Sequence, residues 1–269
     1  MLQASAAVDF SGERAQKMTM ASIAETIARR IAALGDPVRA LGASRYFKTG
    51  PGEYGEGDIF AGVTTPQMRA LVKEFWRDTA WDAVPELLAS PVHEVRSAGL
   101  AIWVKRYEKG AQDEREAIYA SYLAHTSRIN NWDLVDISAP GIVGAHLLES
   151  PRGILRTLAK SPFLWERRIA IIATLAFIRK GEFDDTLEIA ALLKTDHEDL
   201  IHKAPAGCCA RWASVTARCS KHSSNNTPPP CPARPCATPS SAWRNPLANA
   251  GWCAGNIGPN DEVGAVRRV

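Results

Sequence analysis

Apolar residues recur at spacings of three and four along most of the chain, and no stretch shows the convincing alternation of period two that a half-buried strand requires. Ile23, Ile27, Ile31 and Leu34 fall on one helical stripe, and Gly35 is a good stop. Thr65 reads as an N-cap with Pro66 at the first helical position. Helical stretches then follow one another: Met68 to Trp76, Trp81 to Leu88, Val95 to Tyr107, Glu114 to Leu123, Trp132 to Leu148, Ile154 to Leu158, Trp165 to Ile178 and Leu187 to Leu193. The fold class that follows is all-α.

The helices also repeat. Leu158-Ala159-Lys160-Ser161-Pro162, with Arg168 and Ala170 downstream, aligns without a gap on Leu192-Leu193-Lys194-Thr195-Asp196 with His202 and Ala204. With one residue removed, the stretch Leu88-Ala89-Ser90-Pro91, with Arg96 and Ala98, matches as well, and Thr126-Ser127 begins the helix that carries Trp132. A spacing of roughly 35 residues is in the range of HEAT-like helical pairs, which stack into a curved solenoid because no pair buries its own apolar face. Equivalent positions then line one concave surface. Arg128, Trp132, Asp136, Arg168 and Lys203 belong to this set, and an exposed row of such basic residues would track a phosphate backbone. Arg96 and Arg168 could equally lie along the solenoid surface or pair with a neighbouring acid.

Charge alone decides little: 32 Lys and Arg against 29 Asp and Glu give a net charge of +3. No apolar run reaches membrane-spanning length, and Met1 to Met20 lacks the apolar centre of a signal peptide, so a cytoplasmic protein is the default expectation. Residues 1–20 read as a weakly structured extension, with Met18 or Met20 as alternative starts, and 21–204 as the helical-repeat domain. The glycine-rich stretch Ser44 to Asp58 lacks the Lys-Ser/Thr ending and preceding strand of a phosphate loop, and its glycines read as a surface loop. His125, His146, His197 and His202 lack metal-ligand spacing, so neither metal nor other cofactor is expected.

In Asn130-Asn131-Trp132-Asp133-Leu134-Val135-Asp136, residues four apart share a helix face, which sets the Trp132 ring beside the Asp136 carboxylate. That pair suits a cationic ligand. The same residues also fit a core aromatic with acids at the positive end of a helix.

Asn131-Trp132-Asp133-Leu134-Val135-Asp136, Trp165-Glu166-Arg167-Arg168-Ile169-Ala170 and Arg45-Tyr46-Phe47-Lys48 together resemble the landmark segments of the AlkD-like DNA alkylation repair glycosylases, which are HEAT-like repeat proteins. The resemblance runs from about Ile23 to Ala204. It implies a monomeric enzyme acting on double-stranded DNA that contains purines alkylated at N3 or N7, without base flipping. Such a base is already cationic and leaves as a neutral molecule, so the developing charge to be stabilised is on the sugar. By the resemblance Asp136 stabilises that sugar and positions water, Trp132 contacts the cationic nucleotide, and Arg168 binds the backbone and hydrogen-bonds the carboxylate. Tyr46 is the aromatic residue on the N-terminal side of the site, Lys48 a phosphate contact, and Trp165 a core residue. Two other classes compete: a non-catalytic helical-repeat protein that binds DNA or another partner, and an inactive product of a damaged reading frame.

The second arises from residues 205–269, where helical periodicity stops. All six cysteines, from Cys208 to Cys253, lie there without paired zinc spacing, alongside Pro228-Pro229-Pro230-Cys231-Pro232. Too little aliphatic content remains for a core, which predicts a disordered tail. Back-translating Ala206 to Trp212 with GC-rich codons and sliding one base reads Trp-Leu-Leu-Arg-Glu-Val, and Lys221 to Ser241 also becomes helical in that frame. A single-base frameshift near Ala204-Pro205 is therefore expected. It would remove the aromatic wall that the resemblance puts at the C-terminal side of the site, and the caps that keep a solenoid soluble.

Overall fold

The computed structural model describes residues 22–204, so the extension at 1–20, the cysteines and the expected frameshifted tail lie outside the described residues. Within them the chain is all-α: α1 (Ile23–Leu34), α2 (Pro37–Tyr46), α3 (Thr65–Phe75), α4 (Val84–Leu88), α5 (His93–Lys109), α6 (Gln112–Ala124), α7 (Trp132–Ser138), α8 (Gly153–Ala159), α9 (Leu164–Ala173), α10 (Leu175–Ile178) and α11 (Asp184–Leu192). A further helix runs over 199–204 at the edge of the described residues. The chain contact nearest to a sheet, among the described residues, is one parallel bridge between Ile59 and Val92.

The first helices begin where a side chain satisfies backbone N–H groups that the helix cannot pair itself. Ser22 and Glu25 form a reciprocal capping box on α1, and Gly35 ends that helix as expected. The Asp36 carboxylate accepts from Val38 and Arg39 at the start of α2, with Pro37 first in the helix. On α3 the cap is Thr64 rather than Thr65, because the Gln67 side chain accepts the Thr64 N–H. Helix α2 carries no apolar periodicity and buries no residue, with Val38 81% exposed. Its existence rests on the cap and the proline.

The core runs between the helix pairs, through Ile27 and Ile31 of α1, Leu87 and Leu88 of α4, Leu100, Ile102 and Trp103 of α5, and Ile169 and Ile171 of α9. Each fully buried aliphatic side chain contributes about 1.5–3 kcal/mol. A π-helical turn over Pro140–Gly144 follows α7 and packs on α9 and α10. Gly144 is the tightest point: a Cβ there would lie 2.2 Å from the Ala173 carbonyl oxygen. A Gly144→Ala change would force this turn and α9 apart.

The inner helices of successive repeats start alike. Val92 N–H donates to Ser90 Oγ, Phe163 N–H to Ser161 Oγ and Glu198 N–H to Asp196 Oδ1, each two residues back, just before α5, α9 and the 199–204 helix. These turns correct the register expected from sequence identity. Arg96 donates to the Ser90 and Pro91 carbonyls, and Arg167 donates in the same way to those of Ser161 and Pro162. Arg96 therefore corresponds to Arg167, not to Arg168. Counting five residues on from the N-caps Val92, Asn131 and Phe163, and from Glu198, gives Ser97, Asp136, Arg168 and Lys203. These four positions form the row shared by consecutive repeats. Thr126–Arg128 is a separate 3-10 turn, and α7 itself starts at Trp132 behind the Asn131 cap.

Candidate active site

Asn131 caps α7 by accepting the Trp132 N–H at 2.8 Å, which sets Trp132, Asp133 and Asp136 on the first turns of a short helix. From the equivalent position of α9, Arg168 reaches across the repeat boundary. Its Nε donates to Asp136 Oδ1 at 3.0 Å and its Nη2 to Oδ2 at 2.9 Å, a planar bidentate pair. The remaining Nη1 donates to the Leu200 carbonyl at 2.6 Å. All of the guanidinium nitrogens are engaged, and Arg168 is buried rather than part of an exposed basic row. The Asp136 side chain is 30% exposed while that of Arg168 is 7% exposed, so the pair presents its acidic end to the surface. Burial pushes the Asp136 carboxyl up from the ordinary value of 3.8; the Arg168 charge and hydrogen bonds oppose the rise, and the nearby Asp133 carboxylate adds to it.

Trp132 is half-buried in an aromatic row. The Phe47 ring stacks on it at 5.3 Å, and Tyr46 meets it edge-on at 6.0 Å. The row continues inward from Phe47 to Phe60 at 5.0 Å and from Phe60 to His93 at 4.6 Å. Tyr46 is exposed at the end of α2, with its hydroxyl held above the ordinary tyrosine value by burial and by Asp133. Lys48 is exposed in a left-handed backbone conformation (φ 51°) that side chains other than glycine seldom adopt, and its carbonyl accepts the Gly55 N–H. Trp165 is buried, and Tyr54 touches its ring edge at 6.0 Å.

The glycine-rich stretch does more than the surface loop expected of it. It carries Tyr54 to the site, where its hydroxyl donates to the Tyr46 carbonyl at 3.5 Å, and it delivers Asp58 to the interior. Asp58 Oδ1 accepts from Arg96 Nη2 at 2.7 Å, and Oδ2 lies 3.1 Å from His93 Nδ1. Asn130 and Asn131 each add a longer contact at 3.4 Å. On its other side, His93 Nε2 lies 2.7 Å from Asp133 Oδ2. Burial favours a neutral His93, but Asp133 and Asp58 overcome it and raise the imidazole from 6.5 to about 9. Burial also acts to raise Asp58, and there His93 and Arg96 win, holding it below the ordinary value. The loop is anchored by buried Glu94, whose carboxylate accepts the N–H groups of Ala61, Gly62 and Val63. Gly62 has φ +79°, and a Cβ there would strike the Asp36 carbonyl at 2.3 Å.

The outer cations are partly committed. Arg128 donates to the Leu88, Ala89 and Ser90 carbonyls, clamping the end of α4 while its residue stays exposed. Lys203 lies 3.7 Å from Asp199, both well exposed. Among the described residues no group of three His, Cys, Asp or Glu side chains is arranged to hold a metal ion. No helix among them is long and apolar enough to cross a membrane. Asp58, His93, Arg96 and Tyr54 do not announce themselves in the sequence as site residues; Asp58 and His93 are 35 positions apart, and no local period links them.

A sequence model of the family described as DNA alkylation repair enzyme matches residues 27–209. Among solved structures, the chain is similar to one described as a predicted DNA alkylation repair enzyme from Enterococcus faecalis, with a TM-score of 0.54 and 19% identity over 70% of this chain and 87% of that one. No curated protein sequence matches.

Proposed function

The chain belongs to the DNA alkylation repair enzyme family, and from that premise we propose that it is a DNA glycosylase that excises cationic N3- or N7-alkylated purines from duplex DNA. One observation carries this reading: a carboxylate held by both oxygens to a buried arginine, facing the surface one helical turn from a half-buried tryptophan. The alkylated base carries its own positive charge, so its departure needs no general acid. The barrier lies in the sugar, whose C1′ gains oxocarbenium character. A carboxylate fixed beforehand stabilises that charge without reorganising as the bond breaks.

Asp136 takes this role and positions the attacking water. Arg168, with every nitrogen engaged inside the protein, acts by fixing the carboxylate rather than by gripping phosphate. Trp132, backed by Phe47, offers its ring to the cationic nucleotide. Tyr46, Lys48, Arg128 and Lys203 serve the flanking DNA, by contact with the sugar and phosphates. The open setting of Asp136 suits a base that stays near the stack, without the deep pocket that an extruded base requires. No metal or other cofactor takes part, and the protein acts as a monomer in the cytoplasm.

The test is release of 7-methylguanine from methylated duplex DNA. Wild type releases the base, and Asp136→Asn binds the duplex with nearly unchanged affinity but releases it far more slowly. Equal release by the two removes Asp136 from the mechanism. The family match stops at residue 209, close to the Ala204-Pro205 junction where the reading frame is proposed to shift. A frame-restored chain should therefore release base faster and stay soluble at higher concentration than the present one; equal behaviour removes the frameshift.

A further inference from the structure

His93 lies outside the row of Asp136 and Arg168 and has no part in the chemistry of base release. Its surroundings are nevertheless unusual. The ring is buried, and each of its nitrogens faces a carboxylate oxygen, Nδ1 at 3.1 Å from Asp58 and Nε2 at 2.7 Å from Asp133. Asp58 is already accepting from Arg96 and from the Asn130 and Asn131 amides, and Asp133 Oδ1 accepts the Leu134 N–H. Both acids are therefore acceptors towards the ring. A neutral imidazole has one N–H and one lone pair, so it would set that lone pair against a carboxylate oxygen. Two N–H groups satisfy both contacts.

We infer that, within the glycosylase reading on which this rests, His93 is a positioning residue: an imidazolium that ties Asp58 of the loop to Asp133 on the first turn of α7 and so fixes Trp132 and Asp136. The link runs by two routes. Through Asp133 it holds the helix turn that carries both site residues. Through the rings it reaches Trp132 by way of Phe60 and Phe47. It also carries electrostatic weight, because the Asp133 charge acts on Asp136 and the imidazolium neutralises it.

The charged groups that face the ring are Asp58 from the loop, Asp133 from α7 and Arg96 from its own helix, two acids against one other cation. Tyr46 and Tyr54 lie farther out beside Asp133, and burial holds both hydroxyls above the ordinary tyrosine value. Loss of the second proton from His93, at about pH 9, precedes their ionisation. The clamp opens as that proton leaves, and Asp133 is freed beside Asp136.

The experiment combines nuclear magnetic resonance of the full chain labelled with nitrogen-15 histidine and 7-methylguanine release between pH 6 and 10. Both His93 nitrogens should carry protons up to about pH 9, and wild-type release should fall as the pH rises through that value. His93→Gln should bind duplex DNA, release base roughly tenfold to a hundredfold more slowly at pH 7 and lose the alkaline fall that coincides with the ring titration. Asp133→Asn should bring the His93 titration down toward 6.5, a readout that needs no activity. Titration of His93 near 6.5 in wild type overturns the proposal, as does a His93→Gln variant with wild-type rate and pH profile. Absence of release at every pH by both wild type and the frame-restored chain overturns the glycosylase reading and the positioning role with it. That outcome is distinct from failure of the clamp alone, in which at least one of the two chains is active.

Discussion

Among the described residues two aspartates are held by buried arginines, and they differ in what happens to the rest of the carboxylate. Asp58 is 4% exposed and is closed in by Arg96, His93 and the two asparagines. Asp136 is paired among the described residues with Arg168 and keeps 30% of its side chain exposed. The ion pair itself therefore does not mark a site. A closed pair acts by holding other groups in place, whereas an open one leaves an oriented negative charge available to a ligand.

The largest effect separates the two on stability. Asp58→Asn leaves Arg96 and His93 facing each other in the interior, and removing one partner from a buried ion pair costs about 3–5 kcal/mol. That is a large share of the stability of a typical domain. Denaturant unfolding should show a lower midpoint, and Asp136→Asn, which keeps an amide oxygen at the more exposed end of the Arg168 fork, should lower it less. Comparable destabilisation by the two substitutions would erase the distinction.

Activity reverses the order. Asp136→Asn should slow base release by roughly a hundredfold to a thousandfold, the scale expected when a fixed electrostatic group aimed at developing charge is lost. The acidic limb of wild-type release should lie above the ordinary 3.8 because burial raises the Asp136 carboxyl, and Asp133→Asn should move that limb to lower pH. A wild-type acidic limb at or below 3.8 would mean that water reaches Asp136 more freely than its burial allows.

The closed cluster has its own pH signature. Folded His93 keeps its second proton to about pH 9, whereas the unfolded chain loses it near 6.5. Its contribution is complete below pH 6.5 and is lost as the pH rises through 9, roughly 3 kcal/mol in all. Asp58 works in the opposite sense, stabilising above the ordinary 3.8 and losing that as the pH falls through its lowered folded value. Thermal melts should therefore drop between pH 6.5 and 9 in wild type, and the drop should be absent in His93→Gln.

Much of this contrast is legible in the sequence, but unevenly. Trp132 and Asp136 share one short helix, so spacing alone brings them together. Arg168 follows from the repeat, though by a register one position off, because identity favours pairing Leu158-Ala159-Lys160 with Leu192-Leu193-Lys194 while the turn residues Ser161 and Asp196 set the true alignment. Helix α2 has no apolar stripe to announce it. The Asp58 and His93 cluster has neither period nor motif, since a loop supplies the acid and two helices supply the partners.

The smallest expected effect tests whether the row continues beyond the central pair. Lys203 occupies the same position in its repeat as Asp136 and Arg168 in theirs, and its 3.7 Å pair with Asp199 is exposed, with side chains 49% and 91% open. Exposed pairs of this kind contribute about 0–1 kcal/mol, so Lys203→Ala should leave unfolding unchanged. If the side chain meets a phosphate, the variant should bind duplex DNA more weakly whatever its sequence, and the slope of log affinity against log salt should shrink by about one. Arg168→Lys should instead leave that slope alone and slow base release, because an ammonium cannot reproduce the planar fork on Asp136. A salt slope altered by Arg168→Lys and untouched by Lys203→Ala would reverse the two roles, placing the buried arginine at the DNA and the exposed lysine outside the interface.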